Sequence, residues 1–493
     1  MSGTPWFTPS DAEREAGRTT LGPNHVVWKG PAGQSFNLTL PYSVYPPRDD
    51  TDLLASVLQR SRLPPGSACL DIGCGSGALS LLASSLGWRV VACDVNPMAV
   101  ASTRGHARRH GLNVDVREGG PGPTLDGECS QWGGDRTYRL VMWNMPYLQP
   151  PDSMHDAHLG PLEEAALVDT DTVGLYSRFV ERLAGTNLLA QDGMALVVLS
   201  SAGDLPEARS IAWRFGLAAA EVLSQVFEDG ERLSVVALWH PYPDAGRLHV
   251  ASVGSTNAAL LAGDEPVGTS LSAGEQTKGR GQHQRSWSSS AGTLEISWVL
   301  EVGTKVNHHP HHQVVFGEAL VHHLNGALGG GQPPRFCLKW PNDVYVRRTE
   351  NEWVKCGGIL YEMASKGARH RLVVGLGLNA TEAPNAEFGT LVQGGLQIGM
   401  EDLGVQVNAM VASLHGRPAD LSLGFEEPFE TVAAACLDGV ELLGPLSFRG
   451  QTVNRATLRP SGRLSIDAGN GEVELEDSVD LVWLGLQHGI HRR

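Results

Sequence analysis

Leu70-Asp71-Ile72-Gly73-Cys74-Gly75-Ser76-Gly77 closes a short apolar run and leads into a helical one, and it decides the fold of the chain's first half. Glycines at 73, 75 and 77 let the backbone turn sharply and approach a ligand closely. Asp94 stands 23 residues beyond Asp71, ending the next β-rich run, where a carboxylate can accept hydrogen bonds from ribose hydroxyls. A dinucleotide-binding turn is the competing reading. Against it, the spacing is Gly-x-Gly-x-Gly, not Gly-x-Gly-x-x-Gly, and Asp71 precedes the first glycine. That carboxylate repels a pyrophosphate but suits the cationic amino-acid end of S-adenosylmethionine (SAM).

Working outward, ACLDIG, RVVACDV, RLVMWN, MALVVLS and LSVVALWH read as strands, with helical segments between several of them. This alternation, from Leu63 to about Trp239, predicts a mostly parallel sheet covered on both faces. His240-Pro-Tyr-Pro-Asp-Ala-Gly-Arg247 is a breaker cluster that divides the chain in two. The second half starts afresh with RLHVASV and continues through SLSAGEQ, LEISWVL, CLKWPNDVYV, GGILYEM and RLVVGLGLNA. After a helical stretch near 425–437, the tail reads as short strands with polar turns, the pattern of a small β-barrel.

Asn144-Met145-Pro146-Tyr147 ends the strand RLVMWN. With this stretch the first half resembles a class I methyltransferase carrying a version of the Asn-Pro-Pro-Tyr motif, which marks methylation of planar amide or amino nitrogens. Asn144 and a backbone carbonyl can accept the N–H hydrogens and aim the nitrogen at the methyl group, while Tyr147 offers a stacking face. The segment from Val44 to Leu54 (VYPPRDDTDLL), Glu164-Ala-Ala and Leu233-Ser-Val-Val extend the resemblance, over residues 36–240, to the HemK2/Mtq2-type glutamine methyltransferases. That likeness implies SAM held by Asp50, Thr51, Asp71, Gly73, Gly75, Gly77 and Asp94. It also implies a release-factor-like substrate and a small activator protein. Met145 replaces the motif's first proline, and a scaffold without turnover remains the alternative.

In the second half, Gly254-Ser-Thr-Asn257, Gln276-Thr-Lys-Gly-Arg-Gly281, Trp287, Lys339-Trp-Pro-Asn-Asp343, Lys355-Cys-Gly-Gly-Ile-Leu360 and Gly375-Leu-Gly-Leu-Asn379 follow in order. As an ordered set they resemble a biotin protein ligase with its SH3-like C-terminal domain, over residues 247–486. The resemblance implies ATP, biotin and Mg²⁺, a biotinoyl-AMP intermediate, and a biotin carboxyl-carrier protein as acceptor. Joining a carboxylate to ATP requires holding anions together and neutralising charge on the α-phosphate. Arg280 and the backbone N–H groups of Gly279 and Gly281 suit that task, with Lys339 expected to bridge the reacting anions and Lys355 to assist on the phosphate side. Ser255, Thr256, Asn257, Gln276, Trp287, Gly357, Gly358 and Asn379 are expected to line the biotin and nucleotide positions. The family loop reads Gly-Arg-Gly-Arg. Gln282 takes the second arginine's place here, which predicts a looser hold on the adenylate or a different acyl substrate.

Composition fits this reading. The 493 residues suggest two to four domains at roughly 100–200 residues each. A net charge of −16 argues against a general nucleic-acid binder, and three of only six lysines (Lys278, Lys339, Lys355) fall inside the ligase motifs. No run of 18 apolar residues predicts a membrane span. The N-terminus lacks a signal-peptide pattern, and seven cysteines without framework spacing suggest free thiols in a reducing compartment, so the cytoplasm is expected. His308-His-Pro-His-His312 and His322-His323 lack a completing Cys or carboxylate at metal-site spacing, so no metal centre is expected.

The expected fold class is α/β plus α+β. It divides into an N-terminal segment (1–35), a Rossmann-like class I methyltransferase domain (36–240), a linker (241–247), a biotin protein ligase catalytic domain (248–438) and a small SH3-like β-barrel (439–487). Two further readings stay open: a pathway enzyme whose ligase half adenylates a different carboxylate, and a ligase carrying a non-catalytic SAM-binding module.

Overall fold

The computed structural model describes residues 22–121, 132–133, 136–146, 174–329, 333–350, 352–418, 420–421, 429–469 and 471–486. The chain forms two compact units, Met1–His240 with Arg417–Glu426, and Pro241–Gly416 with Glu427–Arg493.

In the first unit, β1 (Asn24–Lys29) and β2 (Ser35–Leu40) pair as an antiparallel hairpin. Alternation in β2 buries Phe36, Leu38 and Leu40 on one face. From Asn24 the chain already pairs in register with β2, so the hairpin starts inside the segment expected as 1–35. Helix α1 (Asp49–Arg60) precedes the main sheet.

That sheet is built from β3 (Ala68–Ile72), β4 (Arg89–Asp94), β5 (Val114–Glu118), β6 (Tyr138–Asn144), β7 (Leu189–Ser200), β8 (Ala218–Val226) and β9 (Arg232–Trp239). Its order is β5-β4-β3-β6-β7-β9-β8, parallel except that β9 runs antiparallel to both neighbours. Helices α2 (Ala78–Ser85), α3 (Pro97–Arg109), α4 (Leu175–Gly185) and α5 (Ala208–Arg214) connect the strands. Central strands covered on both faces need nearly continuous apolar runs, which explains the burial of Leu70, Ile72, Val141, Met142, Leu196 and Val197. The chain moves outward from β3 to β5, then returns beside β3 as β6. The carboxyl ends of β3, β4 and β6 therefore converge at a topological switch point, where open α/β sheets bind ligands.

The second unit starts with β10 (Arg247–Val250), α6 (Thr256–Ala262), β11 (Ser270–Ala273) and the two-residue pair β12 (Gly279–Arg280) and β13 (Ser286–Trp287). β14 (Thr293–Gly303), α7 (His311–Gly326), β15 (Phe336–Lys339), β16 (Asp343–Thr349), β17 (Glu352–Lys366) and β18 (Arg369–Asn379) follow. Its sheet has the order β10-β11-β14-β18-β17-β16-β15, antiparallel except for β10 with β11. α7, α8 (Met400–His415) and α9 (Phe429–Leu442) pack on this sheet, against β15, β14 and β15 respectively. α9 runs past residue 438, so the expected domain boundary there falls inside a helix. It runs through Asp438-Gly439, a pair that reads as a turn in sequence, and ends before Gly444-Pro445.

The C-terminal module has two three-stranded antiparallel sheets. One orders β20 (Gln451–Thr452), β19 (Leu446–Phe448) and β24 (Leu481–Trp483), the other β21 (Arg455–Leu458), β22 (Leu464–Asp467) and β23 (Glu472–Leu475). Trp483, on β24, is buried, and Trp340 Nε1 donates to the carbonyl of Gly462 at 3.1 Å, tying the module to the turn after β15.

Candidate functional sites

In the first unit the glycine loop after β3 holds positive φ at Gly73, Gly75 and Gly77. At Gly77, a Cβ would also lie 2.7 Å from Thr103 Oγ1, so both backbone and packing require glycine. Asp94 ends β4 and accepts from the backbone N–H of Gly75 and of Asn96, each at 2.8 Å, holding the loop against the strand end. Asp71 is 1% exposed; Ser80 Oγ donates to its Oδ2, and its Oδ1 is buried without a hydrogen-bond partner. Burial pushes the Asp71 carboxyl up to about 7, with a further upward push from Asp94, while the Ser80 hydroxyl opposes. Burial likewise raises Asp94.

Asn144 ends β6, beside β3, and its Oδ1 is also buried without a hydrogen-bond partner. Two orphaned acceptors at neighbouring strand ends fit a ligand and a substrate that each bring N–H donors. Met145 is buried at 2% exposure. Asp50 and Thr51 are buried in the first turn of α1, where Asp50 Oδ1 accepts from the Thr51 N–H at 2.6 Å; α1 packs on α2, the helix that the glycine loop opens. Tyr147 and Glu164 lie outside the described residues.

In the second unit one cavity of about 210 Å³ gathers most of the expected residues. Ser255, Thr256, Asn257, Gln276, Arg280, Gly281, Trp287, Lys355, Gly358 and Asn379 line it. Ser255 caps α6, its hydroxyl accepting from the Ala258 N–H. Gln276 Oε1 accepts from the N–H and the hydroxyl of Thr256, at 2.8 and 3.1 Å. Trp287 lies over a wall that only glycine permits: a Cβ at Gly377 would stand 2.5 Å from Trp287 Cζ2. Asn379 accepts from Thr293 Oγ1 at 3.1 Å and donates to the carbonyl of Gly389 at 3.2 Å, so its amide already serves the fold.

The two motif lysines have different settings. Lys355 lines the cavity and pairs with Asp343 at 2.5 Å. Burial alone would raise the Asp343 carboxyl, but the ammonium groups of Lys355 and Lys339 outweigh it and hold it below the usual range. Lys339, expected to bridge the reacting anions, is not among the lining residues. It is 1% exposed, with Nζ 4.7 Å from the Trp483 ring centroid and 5.9 Å from that of Tyr345. Burial lowers its ammonium to about 8, against the opposing charge of Asp343. The sequence places Lys339 at a strand end; in the fold it is buried beside Tyr345 and Trp483. Gly279 and Gly357 also lie off the cavity wall.

Arg285, Asp343, Tyr345, Ser478 and Val479 line the cavity too, and sequence reasoning did not single them out. Arg285 had a signal, as the cation kept beyond Gln282 in the same loop. Ser478 and Val479 had none, since they arrive from the distant C-terminal module. Gln282 Nε2 donates to Gln313 Oε1 on α7 at 3.1 Å, and His283 pairs with Asp477 at 3.2 Å. Histidines at the start of α7 meet edge to face, His311 with His312 at 4.5 Å and His312 with His415 at the end of α8 at 5.5 Å between centroids. Among the described residues, no group of three or more His, Cys, Asp or Glu side chains is arranged to hold a metal ion. The six described cysteines are free and buried, and none of the described helices is long and apolar enough to cross a membrane.

The Biotin/lipoate A/B protein ligase family matches residues 257–379, and a methyltransferase domain family matches residues 69–145. A biotin–[acetyl-CoA-carboxylase] ligase of Mycobacterium tuberculosis is 37% identical over 144 residues, 27% of this chain and 49% of that protein. A ribosomal protein L11 methyltransferase of Thermosipho africanus is 36% identical over 80 residues, 16% of this chain and 31% of that protein. This chain thus spans about half or less of these curated relatives' length. Among solved structures, the Aquifex aeolicus biotin protein ligase in complex with biotin and ATP is 25% identical, with a TM-score of 0.36, covering 48% of this chain and 97% of that one.

Proposed function

We propose that this chain, which joins a methyltransferase domain to a biotin/lipoate ligase-type domain, is a bifunctional enzyme. Its ligase half would attach biotin to a lysine of a biotin carboxyl-carrier protein, through biotinoyl-AMP formed from ATP with Mg²⁺. Its first half would transfer a methyl group from SAM to a planar protein nitrogen, with a glutamine amide of a release-factor-like protein as the first choice. The observation that carries the ligase reading is the convergence of all six members of the ordered motif set on one cavity.

Within that cavity, Arg280, Arg285 and Lys355 supply the positive charge that two reacting anions require. Lys355, which lines the cavity and is held by Asp343, is our choice for the bridge, with the charge of Lys339, felt by the same Asp343, in support. Trp287 over Gly377 offers a flat apolar wall suited to a fused-ring acyl group. Asp477, Ser478 and Val479 bring the C-terminal module, which we read as SH3-like, to the rim of the loop.

SAM supplies an electrophilic methyl group when bound. The chain's own part is positional: Asp71 Oδ1 would accept the ammonium, Asp94 the ribose hydroxyls, and Asn144 Oδ1 an N–H of the substrate. Relatives named as L11 methyltransferases favour a second choice of methyl acceptor, a ribosomal-protein nitrogen. Buried free thiols suit a reducing compartment such as the cytoplasm.

The deciding experiment incubates the full chain with ATP, biotin and SAM in a cell lysate and identifies modified acceptors by mass spectrometry. Biotinylated carrier lysine together with a methylated protein nitrogen supports the reading. ATP–pyrophosphate exchange stimulated by lipoate or an amino acid, and not by biotin, refutes the ligase assignment. SAM binding without methyl transfer reduces the first half to a binding module.

A further inference from the structure

Glu295, on β14, is a buried carboxylate that no motif includes and no step above uses. It is 1% exposed. Its Oε1 accepts from Trp287 Nε1 at 2.8 Å and from Ser289 Oγ at 2.5 Å. The Ser289 hydroxyl oxygen in turn accepts from the backbone N–H of Gln276 at 3.0 Å, and Gln276 Oε1 receives both donors of Thr256. Across the sheet, Glu295 faces Gly377, the glycine whose missing Cβ leaves room for the Trp287 ring. One carboxylate oxygen thus anchors the aromatic wall and, through a serine, the polar wall of the same cavity.

Burying a carboxylate is expensive, and its Oε2 is buried without a partner, so the site carries a cost that a neutral, apolar residue would avoid. What the carboxylate provides is a charge-assisted bond to the indole, stronger and more directional than a neutral acceptor gives. Trp287 sits in the separate two-stranded β12–β13 pairing, and its indole N–H is tied to the seven-stranded sheet by Glu295, so this anchor helps fix the ring over Gly377. We propose that Glu295 is a positioning residue of the acyl-substrate site, holding Trp287 flat on Gly377 and Gln276 against Thr256. The inference rests on the ligase reading of the second unit.

The test uses the full chain with Glu295→Met, Glu295→Gln and Trp287→Phe, singly and combined. In biotin-stimulated ATP–pyrophosphate exchange, Glu295→Met raises the KM for biotin by about tenfold with kcat within about threefold, and Glu295→Gln stays near wild type. With Trp287→Phe already present, Glu295→Met adds less than it does alone, because the indole N–H it would release is gone and only the Ser289–Gln276 arm is left to lose. An unchanged KM in Glu295→Met, a loss confined to kcat, or full additivity with Trp287→Phe overturns the proposal. Should the Met variant fail to fold, the Trp287 indole N–H resonance, assigned by its loss in Trp287→Phe, decides the matter in Glu295→Gln. It must move when the charged acceptor becomes neutral, and an unmoved resonance overturns the proposal. That resonance needs no turnover. Failure of the ligase reading shows instead as wild-type protein with no biotin-dependent exchange.

Discussion

Asp71 is where one residue's chemistry makes the sharpest forecast. Its carboxyl titrates near 7 because burial penalises the ion. The raised value means that the folded chain keeps a proton which the unfolded chain has already lost, so stability falls as pH rises from about 4 to about 7. A cationic ligand relieves that penalty. SAM affinity should accordingly increase with pH through about 7 in the wild type and lose this dependence in Asp71→Asn, as calorimetric titration across pH will show. The lysine pair gives the second forecast. Lys355→Met should lower ATP–pyrophosphate exchange by about 10²–10³, the usual loss for removing one charge-stabilising group. Lys339→Met should stay within about tenfold, since Lys339 does not line the cavity. The reverse order would return the bridging role to Lys339. At Gln282, the neutral side chain is engaged with Gln313. Gln282→Arg should slow release of free biotinoyl-AMP, measured directly, and equal release from both proteins would remove any meaning from the substitution.

At the scale of elements, the informative joint is the turn between β21 and β22 in the C-terminal module. Gly462 holds φ at 83°, and a Cβ there would run into the backbone at Pro310 and His311, the start of α7. Its carbonyl also receives the Trp340 indole from the turn after β15. Gly462→Ala should therefore destabilise the second unit by about 1–3 kcal/mol through strain, visible as a lowered thermal transition. Sequence patterning found the central strands β3, β4, β6, β7 and β9, because strands buried on both faces are apolar throughout. It passed over β1 and β2, whose alternation is short and lies in a polar stretch. It also stopped α9 early, at Asp438-Gly439, a turn-like pair that the helix passes through to reach Leu442.

For the whole molecule, the two units carry separate motif sets, one from Asp71 to Asn144 and the other from Ser255 to Asn379. The two proposed activities should therefore fail independently. Asn144→Ala abolishes methyl transfer and spares biotinylation, and Lys355→Met does the reverse, in parallel assays on one preparation. Loss of both from either change in a folded protein would show that the sites are coupled.

The sequence by itself determined the glycine turn, the strand-end acids, the division near His240 and the ordered set of ligase motifs. Each of these is local: a turn needs glycine where φ is positive, and a run of apolar residues declares a strand without reference to its partners. Only the tertiary structure decided which motif residue faces the cavity and which supports it. Lys339 and Lys355 are equivalent as letters, and Trp483, from the C-terminal module, and Asp343, across the β16–β17 pairing, separate them. Glu295 carries no signal at all until β18 sets Gly377 beside it and Trp287 folds over both. Burial and long-range pairing are properties of the assembled sheet, and these turn an unremarked acid into an anchor.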